Sequence, residues 1–334
     1  MTKGFLYLGL LVALLGSLLV YGCQSAAPSP SPEKKAESPK AEVAEVSTLK
    51  IGNLPVANGA DVLAAEKLGY FKDEGLTVES TMAMGAEGLQ AVVAGKLNFV
   101  GATFISVPTA RAEGIDFVVV AGRNGAQKAP PDSAALMVLK DGPIQSAKDL
   151  EGKRIGINLL NNVNWLYARE LVARNGVDPK KITFAEIGFP QMGDALYNKQ
   201  VDAVFSTEPF TMIMRDSGKA RALSYPFVEI EPGLNIAQWI ASEKWVKANP
   251  IATRKFARAM TRTIEYLNSN PEEKLKLIAE YTKQDAEVLR KTTLDVLSTK
   301  VDVKSLQNQI ALMVKHEMLK QSVDASTMMW ETAK

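Results

Sequence analysis

Ala60-Asp61-Val62-Leu63-Ala64-Ala65-Glu66-Lys67-Leu68-Gly69-Tyr70-Phe71-Lys72-Asp73-Glu74-Gly75-Leu76-Thr77-Val78-Glu79 is a complete helix-to-strand step. Residues Ala60 to Leu68 carry helical spacing, and Gly69 supplies the stop signal. Leu76-Thr77-Val78-Glu79 alternates as a short strand does. Gly69 and Gly75 stand where the turns need positive φ. Tyr70 and Phe71 read as core aromatics that pin the helix end.

The step recurs on both sides. Leu49–Leu54 reads as a first strand ending at Pro55. Glu87–Ala94 is helical and closed by Gly95, Asn98–Gly101 is a third strand, and Phe117–Ala121 is a fully apolar fourth. Continuous apolar strands separated by helices argue a parallel α/β sheet covered on both faces. The pattern restarts with Ala134–Leu139, followed by the breaker Asp141-Gly142-Pro143. Lys153–Ile157, Ile182–Ile187 and Ala203–Phe205 read as strands, Asn164–Arg174 and Met192–Asn198 as helices. Ile236–Ala241 is one more strand, placed to return the chain to the first unit. After Ser242 the chain reads helical, with breaks near Pro250, Pro271 and Gln284.

This is the plan of two α/β lobes joined by two crossings. Residues 48–138 and 236–334 form the first lobe and 139–235 the second. Hinges are expected near Leu139–Pro143 and Glu231–Asn235. The late helix Ser305–Leu319 carries an apolar stripe that reads as packing of a helical tail on the first lobe. Ligands of open α/β sheets sit at the carboxyl ends of strands, so those ends should face a cleft between the lobes.

Composition narrows the function. The formal net charge is +2, with no clustered basic stripe of the kind a nucleic-acid surface needs. The sole histidine is His316 and the sole cysteine is Cys23. That leaves no ligand set for zinc or copper, and no metal or cofactor is expected. Lys3, an apolar stretch from Phe5 to Val20 and Leu19-Val20-Tyr21-Gly22-Cys23 have the layout of a secretory signal over residues 1–22. The last run resembles a bacterial lipoprotein box, which implies a lipidated Cys23 as membrane anchor; Tyr21 is bulkier than the usual residue at its position. Residues 23–47 follow as a linker rich in Pro, Ser, Ala, Glu and Lys, too polar to bury a core, with a reach of about 25–70 Å.

Four ordered motifs carry a wider resemblance. Glu66–Leu76, Gly88-Leu89-Gln90-Ala91 through Gly95, Asp149–Gly156, and Val201–Val204 with Glu208-Pro209-Phe210 resemble the solute-binding proteins of alkanesulfonate, nitrate and thiamine-precursor importers. Asn268–Glu273 (NSNPEE) looks like the tail of that family. The resemblance spans about Thr48 to Lys283. It implies a two-lobed periplasmic-binding-protein-like fold of type II. It also implies an extracytoplasmic monomer that serves an ATP-binding-cassette (ABC) permease with its cytoplasmic ATPase.

The family binds at strand ends and helix starts, where free backbone N–H groups point at the ligand. Here those places are Pro55–Asp61, Gly85–Gly88, Thr103–Ser106, Asn158–Trp165, Phe189–Gln191 and Thr207–Phe210. Candidate ligand residues are therefore Asn58, Asp61, Glu87, Phe104, Asn161, Asn162, Asn164, Trp165, Phe189, Glu208, Phe210 and Trp239. Where sulfonate and nitrate members usually place small residues, Asn158–Trp165 holds asparagines and a tryptophan; Asn164 doubles as a candidate helix N-cap. Amides both donate and accept, which suits a heterocycle better than a bare anion, and flat rings can sandwich a flat ligand. None of these segments contains an arginine; Arg123, just past the fourth strand, is the one arginine within expected reach of the cleft.

The expectation is capture of a small aromatic heterocycle, of riboflavin or thiamine-pyrimidine-precursor type, with alkanesulfonate, taurine or nitrate as the alternative. Enzymes that resemble this chain, a pyrimidine synthase and a desulfinase, depend on histidines or a catalytic cysteine. With Cys23 in the signal and His316 in a late helix, no nucleophile–base pair can be assembled, and a non-enzyme is expected. A role reporting to a sensor kinase is the third possibility.

Overall fold

The computed structural model describes residues 42–83 and 86–334. The signal segment, Cys23 and most of the linker lie outside the described residues. Among the described residues eleven strands form two sheets, each flanked by helices.

The first sheet has the order β11-β4-β10-β3-β1-β2. Its strands are β1 (Thr48–Asn53), β2 (Thr77–Met82), β3 (Phe99–Thr103), β4 (Phe117–Gly125), β10 (Asn235–Ser242) and β11 (Val296–Leu297). The second has the order β7-β6-β8-β5-β9. It is built from β5 (Ala134–Leu139), β6 (Arg154–Ile157), β7 (Thr183–Glu186), β8 (Ala203–Thr207) and β9 (Ala220–Ser224). Each sheet is mixed where the sequence suggests purely parallel pairing. β10 runs antiparallel between β3 and β4, and β5 runs antiparallel between β8 and β9. Both are the first strands after a crossing, entering their sheets from the opposite end.

The quoted opening segment folds as its glycines demand. The helix Ala60–Lys67 is followed by Gly69 at φ 76 and Gly75 at φ 71. Phe71 is buried and stacks on Phe256 at 6.2 Å, and Phe256 stacks on Phe99 at 4.0 Å. Tyr70 lies under the Arg262 guanidinium, 4.2 Å from its ring centroid. Phe256 belongs to the helix Pro250–Ser269, whose buried stripe of Phe256, Met260, Thr263 and Leu267 faces the first lobe. Truncating Phe256 to alanine removes three aromatic contacts and is worth about 3–5 kcal/mol.

Three boundaries differ from the sequence reading. Ala134–Leu139, which a lobe boundary at 138/139 gives to the first lobe, pairs in the second sheet. The first crossing is therefore 126–133 and not Leu139–Pro143. It runs beside the second crossing, with Ala126 N–H donating to Leu234 O at 2.8 Å and Gly233 N–H to Gln127 O at 2.9 Å. The end of the linker is docked: Glu45 accepts from Ile251 and Ala252 N–H at the helix start, and Glu42 pairs with Arg254 at 3.1 Å. The tail packs on the first lobe through Pro250–Ser269, but its last long helix, Val303–Lys315, reaches the second lobe as well. Ser305 Oγ and Gln309 Nε2 hold Asn235 at the crossing. Lys315 and His316 reach Glu170, in the helix Val163–Arg174, at 2.7 and 2.8 Å.

Among the described residues no helix is long and apolar enough to cross a membrane, and no group of three acidic, histidine or cysteine side chains is placed to hold a metal.

Candidate functional site

The ends of β1, β3, β4, β6 and β8 converge on a cleft between the sheets, as strand direction requires. Its inner chamber has a volume of about 80 Å³ and takes walls from both lobes: Asn58, Thr103, Arg123 and Asn124 on one side, Asn158, Asn162, Asn164 and Thr207 on the other. An outer chamber of about 330 Å³ shares Leu54, Val56, Asn158 and Phe189 with it and adds Pro55, Glu87, Pro190 and Phe210.

Arg123 forms the back of the inner chamber. Its Nε donates to Asp61 Oδ2 at 2.8 Å, and its Nη2 to Asp61 Oδ1 at 3.0 Å and Asn53 Oδ1 at 2.6 Å. The guanidinium lies 4.4 Å from the Trp239 ring centroid. A Cβ at Gly101 would stand 1.8 Å from Arg123 Nη1, so only glycine lets the side chain lie there. A buried, bidentate partner cancels the charge. Arg123 thus reaches the cleft wall, but as half of an internal ion pair. Asp61 is committed to the same pair.

Asp295 supplies a second carboxylate, from a loop before β11. It accepts from Asn58 Nδ2 at 2.7 Å, Asn124 Nδ2 at 2.9 Å and Ser133 Oγ. Lys274 donates to its backbone oxygen at 3.3 Å, and burial pushes that ammonium's pKa down. Asp132, in the first crossing, is pushed up to about 6 by burial, with Asp295 adding to the rise. Its Oδ1 accepts from Gln127 and Ser133 N–H at 3.0 and 2.9 Å.

The asparagine-rich loop is ordered by its own side chains. Asn162, not Asn164, is the N-cap: it accepts from Trp165 N–H at 3.1 Å and donates to Asn158 Oδ1 at 2.9 Å. Asn164 donates to Phe205 O at 3.4 Å and lines the inner chamber beside Asn162. Asn161 takes φ 57 and is exposed, outside both chambers. Because the helix starts earlier than expected, Trp165 is turned from the cleft onto Phe184 of β7, 6.0 Å away, under Arg169.

Among the other aromatics, Phe189 lines both chambers and stacks on Phe210 at 6.2 Å and 13°. Phe104, Tyr167 and Trp239 are fully buried core residues. Glu208 lines neither chamber. Burial raises its pKa, and it accepts from Met212 N–H at 3.0 Å and Arg215 at 2.7 Å, fixing the turn after the cis Glu208–Pro209 bond. Glu87 is exposed at the outer mouth. So Asn58, Asn162, Asn164 and Phe189 meet in the inner chamber, Glu87 and Phe210 stand with Phe189 at the outer one, and Phe104, Asn161, Trp165, Glu208 and Trp239 lie elsewhere. Sequence reasoning missed Asn124, Ser133 and Asp295. Asp295 sits in a stretch read as helical, although Thr292-Thr293 just before it signals extended chain.

Two mixed α/β sheets, two adjacent crossings and a cleft fed by strand ends define a two-lobed periplasmic-binding-protein fold. Solved structures share it at low sequence identity. The alkanesulfonate-binding protein SsuA from Xanthomonas axonopodis pv. citri, bound to MOPS, has a TM-score of 0.74 at 18% identity, over 86% of this chain and 99% of that one. A ligand-binding component of an ABC-type import system from Staphylococcus aureus, with zinc bound, gives 0.73 at 14%, over 85% and 97%. The periplasmic nitrate-binding protein NrtA from Synechocystis PCC 6803 gives 0.70 at 13%, over 86% of each chain. No curated protein matches the sequence. The chain belongs to the NMT1/THI5 like family, whose profile matches residues 57–274, more than half of its length.

Proposed function

We propose that this protein is the extracytoplasmic substrate-binding component of an ABC importer, held to the membrane through lipid on Cys23. It closes its lobes on a small aromatic heterocycle, of riboflavin or thiamine-pyrimidine-precursor type, and delivers it to a permease. Family membership and the binding proteins that share the fold support the transport role. One observation carries the ligand class: the polar part of the inner chamber's wall is amides and hydroxyls from both lobes with the Asp295 carboxylate, while its guanidinium is cancelled by Asp61. A bare anion would favour an unpaired cation. The stacked pair Phe189–Phe210 offers a ring face at the outer chamber. The reading is of a binder and not an enzyme, because His316 is bonded to Glu170 at the end of the tail helix, away from the chambers.

The alternative ligand class, alkanesulfonate or nitrate, is favoured by what SsuA and NrtA bind. A ligand that binds only the folded state raises the melting midpoint. Full-length chain titrated with riboflavin, an aminopyrimidine, taurine and nitrate should shift with one of the first two. A shift with taurine or nitrate alone keeps the transport role and discards the heterocycle.

A further inference from the structure

The helix Val163–Arg174 has one end at the cleft and the other at the tail. Asn162, its N-cap, and Asn164 line the inner chamber. Glu170 lies six residues after Asn164, about 9 Å along the helix axis. Between them Tyr167 donates to Glu231 Oε2, in the second crossing, at 2.9 Å. The tail helix Val303–Lys315 touches the same two points. Asn308 Nδ2 donates to Glu231 Oε1 at 3.4 Å, and Lys315 and His316 reach Glu170 Oε2. That helix is moored to the first lobe on both sides. β11 before it pairs with β4, and Trp330 N–H after it donates to Val119 O, also in β4, at 2.8 Å.

We propose that the tail helix is a clasp across the hinge, and that its grip on Glu170 fixes the angle between the lobes. The Glu170 side chain is 3% exposed. Of its three partners, Arg174 rides on the same helix and moves with it, whereas Lys315 and His316 stay with the tail. Rotation of the second lobe away from the tail therefore strips a buried carboxylate of two hydrogen-bond donors, a penalty that resists the motion. The nearby pair Lys180–Glu317 is exposed on both sides and adds little. Because the helix is rigid, the same rotation carries Asn162 and Asn164 away from Asn58 and Arg123 across the chamber. The inference rests on the two-lobed binding reading above and adds its regulation: the grip sets what share of the protein stands ready for ligand, whatever that ligand is.

Spin labels on two introduced cysteines report the lobe spacing in a full-length chain that carries Cys23→Ser. One is Met82→Cys, 51% exposed at the cleft end of β2; the other is Ile213→Cys, 41% exposed in the helix Phe210–Asp216 after β8. Pulsed dipolar spectroscopy without ligand should give one main distance. Glu170→Gln should raise the population of a second, longer distance about fivefold, the effect of losing about 1 kcal/mol. Asn308→Ala combined with Lys315→Met, both at exposed positions, should do the same, and it decides should Glu170→Gln fail to fold. Asp73→Asn, which breaks an exposed ion pair with Arg262 inside the first lobe, should leave the spacing unchanged. A lower melting midpoint with unchanged spacing makes the tail merely structural and overturns the clasp, as does a shift of equal size in Asp73→Asn. Neither result touches the binding reading, which the ligand panel tests on its own.

Discussion

Arg123 and Asp61 close on each other at the back of the cleft, Nε to Oδ2 at 2.8 Å and Nη2 to Oδ1 at 3.0 Å, with both side chains 1% exposed. Asp61→Asn leaves a buried guanidinium without its counter-charge and should cost about 3–5 kcal/mol. Urea unfolding checks it: the midpoint should fall with the slope unchanged. A loss below about 1 kcal/mol would show that water or a neighbour replaces the carboxylate.

Gly101→Ala tests the same pair from the opposite side. The added carbon would meet Arg123 Nη1 at 1.8 Å, so the guanidinium must move. Overpacking of this kind should cost about 1–3 kcal/mol and weaken ligand binding, because Gly101 and Arg123 both line the inner chamber. A variant with unchanged stability and affinity contradicts the close fit.

Glu170 ties the tail helix to the second lobe. Burial raises its pKa, but hydrogen bonds from Arg174, Lys315 and His316 outweigh that and hold it near 2. A carboxylate held low contributes stability that is present above its unfolded value of 4.5 and is lost as pH falls through about 2. The neutral His316 ring, its pKa lowered by burial, donates to it. Glu170→Gln should cost about 2–3 kcal/mol at pH 7 and flatten the acid limb of a melting-versus-pH curve. An acid limb as steep as the unaltered chain's would assign that limb to other groups.

Asp132 has the opposite sign. Its folded value of about 6 lies above the unfolded 3.8, so its contribution is present below 3.8 and lost as pH rises through about 6. Asp132→Asn keeps the Oδ1 acceptor for Gln127 and Ser133 and removes the buried charge. It should stabilise the protein at pH 7–8 by about 1–2 kcal/mol and have no such effect near pH 4. Destabilisation at both pH values would show that the charge itself holds the crossing together.

Trp165→Ala should leave the ligand-induced melting shift unchanged, since the ring sits on Phe184 outside the cleft. Phe189→Ala should reduce affinity about tenfold, the scale of one lost aromatic contact. Reversed outcomes would relocate the aromatic wall.

The strands of both lobes are legible because short apolar runs bounded by glycine and proline leave few other readings. Their directions are not. An apolar run such as Ala134–Leu139 carries no mark of parallel or antiparallel pairing, and that follows only from which sheet the chain enters. β9 carries no clear strand signal because Arg221 interrupts its apolar run, while in the fold its guanidinium reaches Ile144 O at the edge. At the site, Asn58, Asn162 and Phe189 were legible as strand-end and helix-start residues. Trp165 was not, because even a one-residue change in where a helix begins turns a side chain by about 100°. Asp295 was out of reach because its partners Asn58, Asn124 and Ser133 lie far away in the chain and share no local pattern with it.

The five strands of the second sheet come from one uninterrupted stretch, Ala134–Ser224, whereas the first sheet must wait for β10 to slot between β3 and β4. A chain leaving the ribosome can close the second sheet while the facing edges of β3 and β4 are still bare. At about 5–20 residues per second, that interval lasts on the order of ten seconds. Open edges are templates for pairing with another chain. The vulnerable moment in this protein's biogenesis is therefore set by its connectivity, and it ends when Asn235–Ser242 is made.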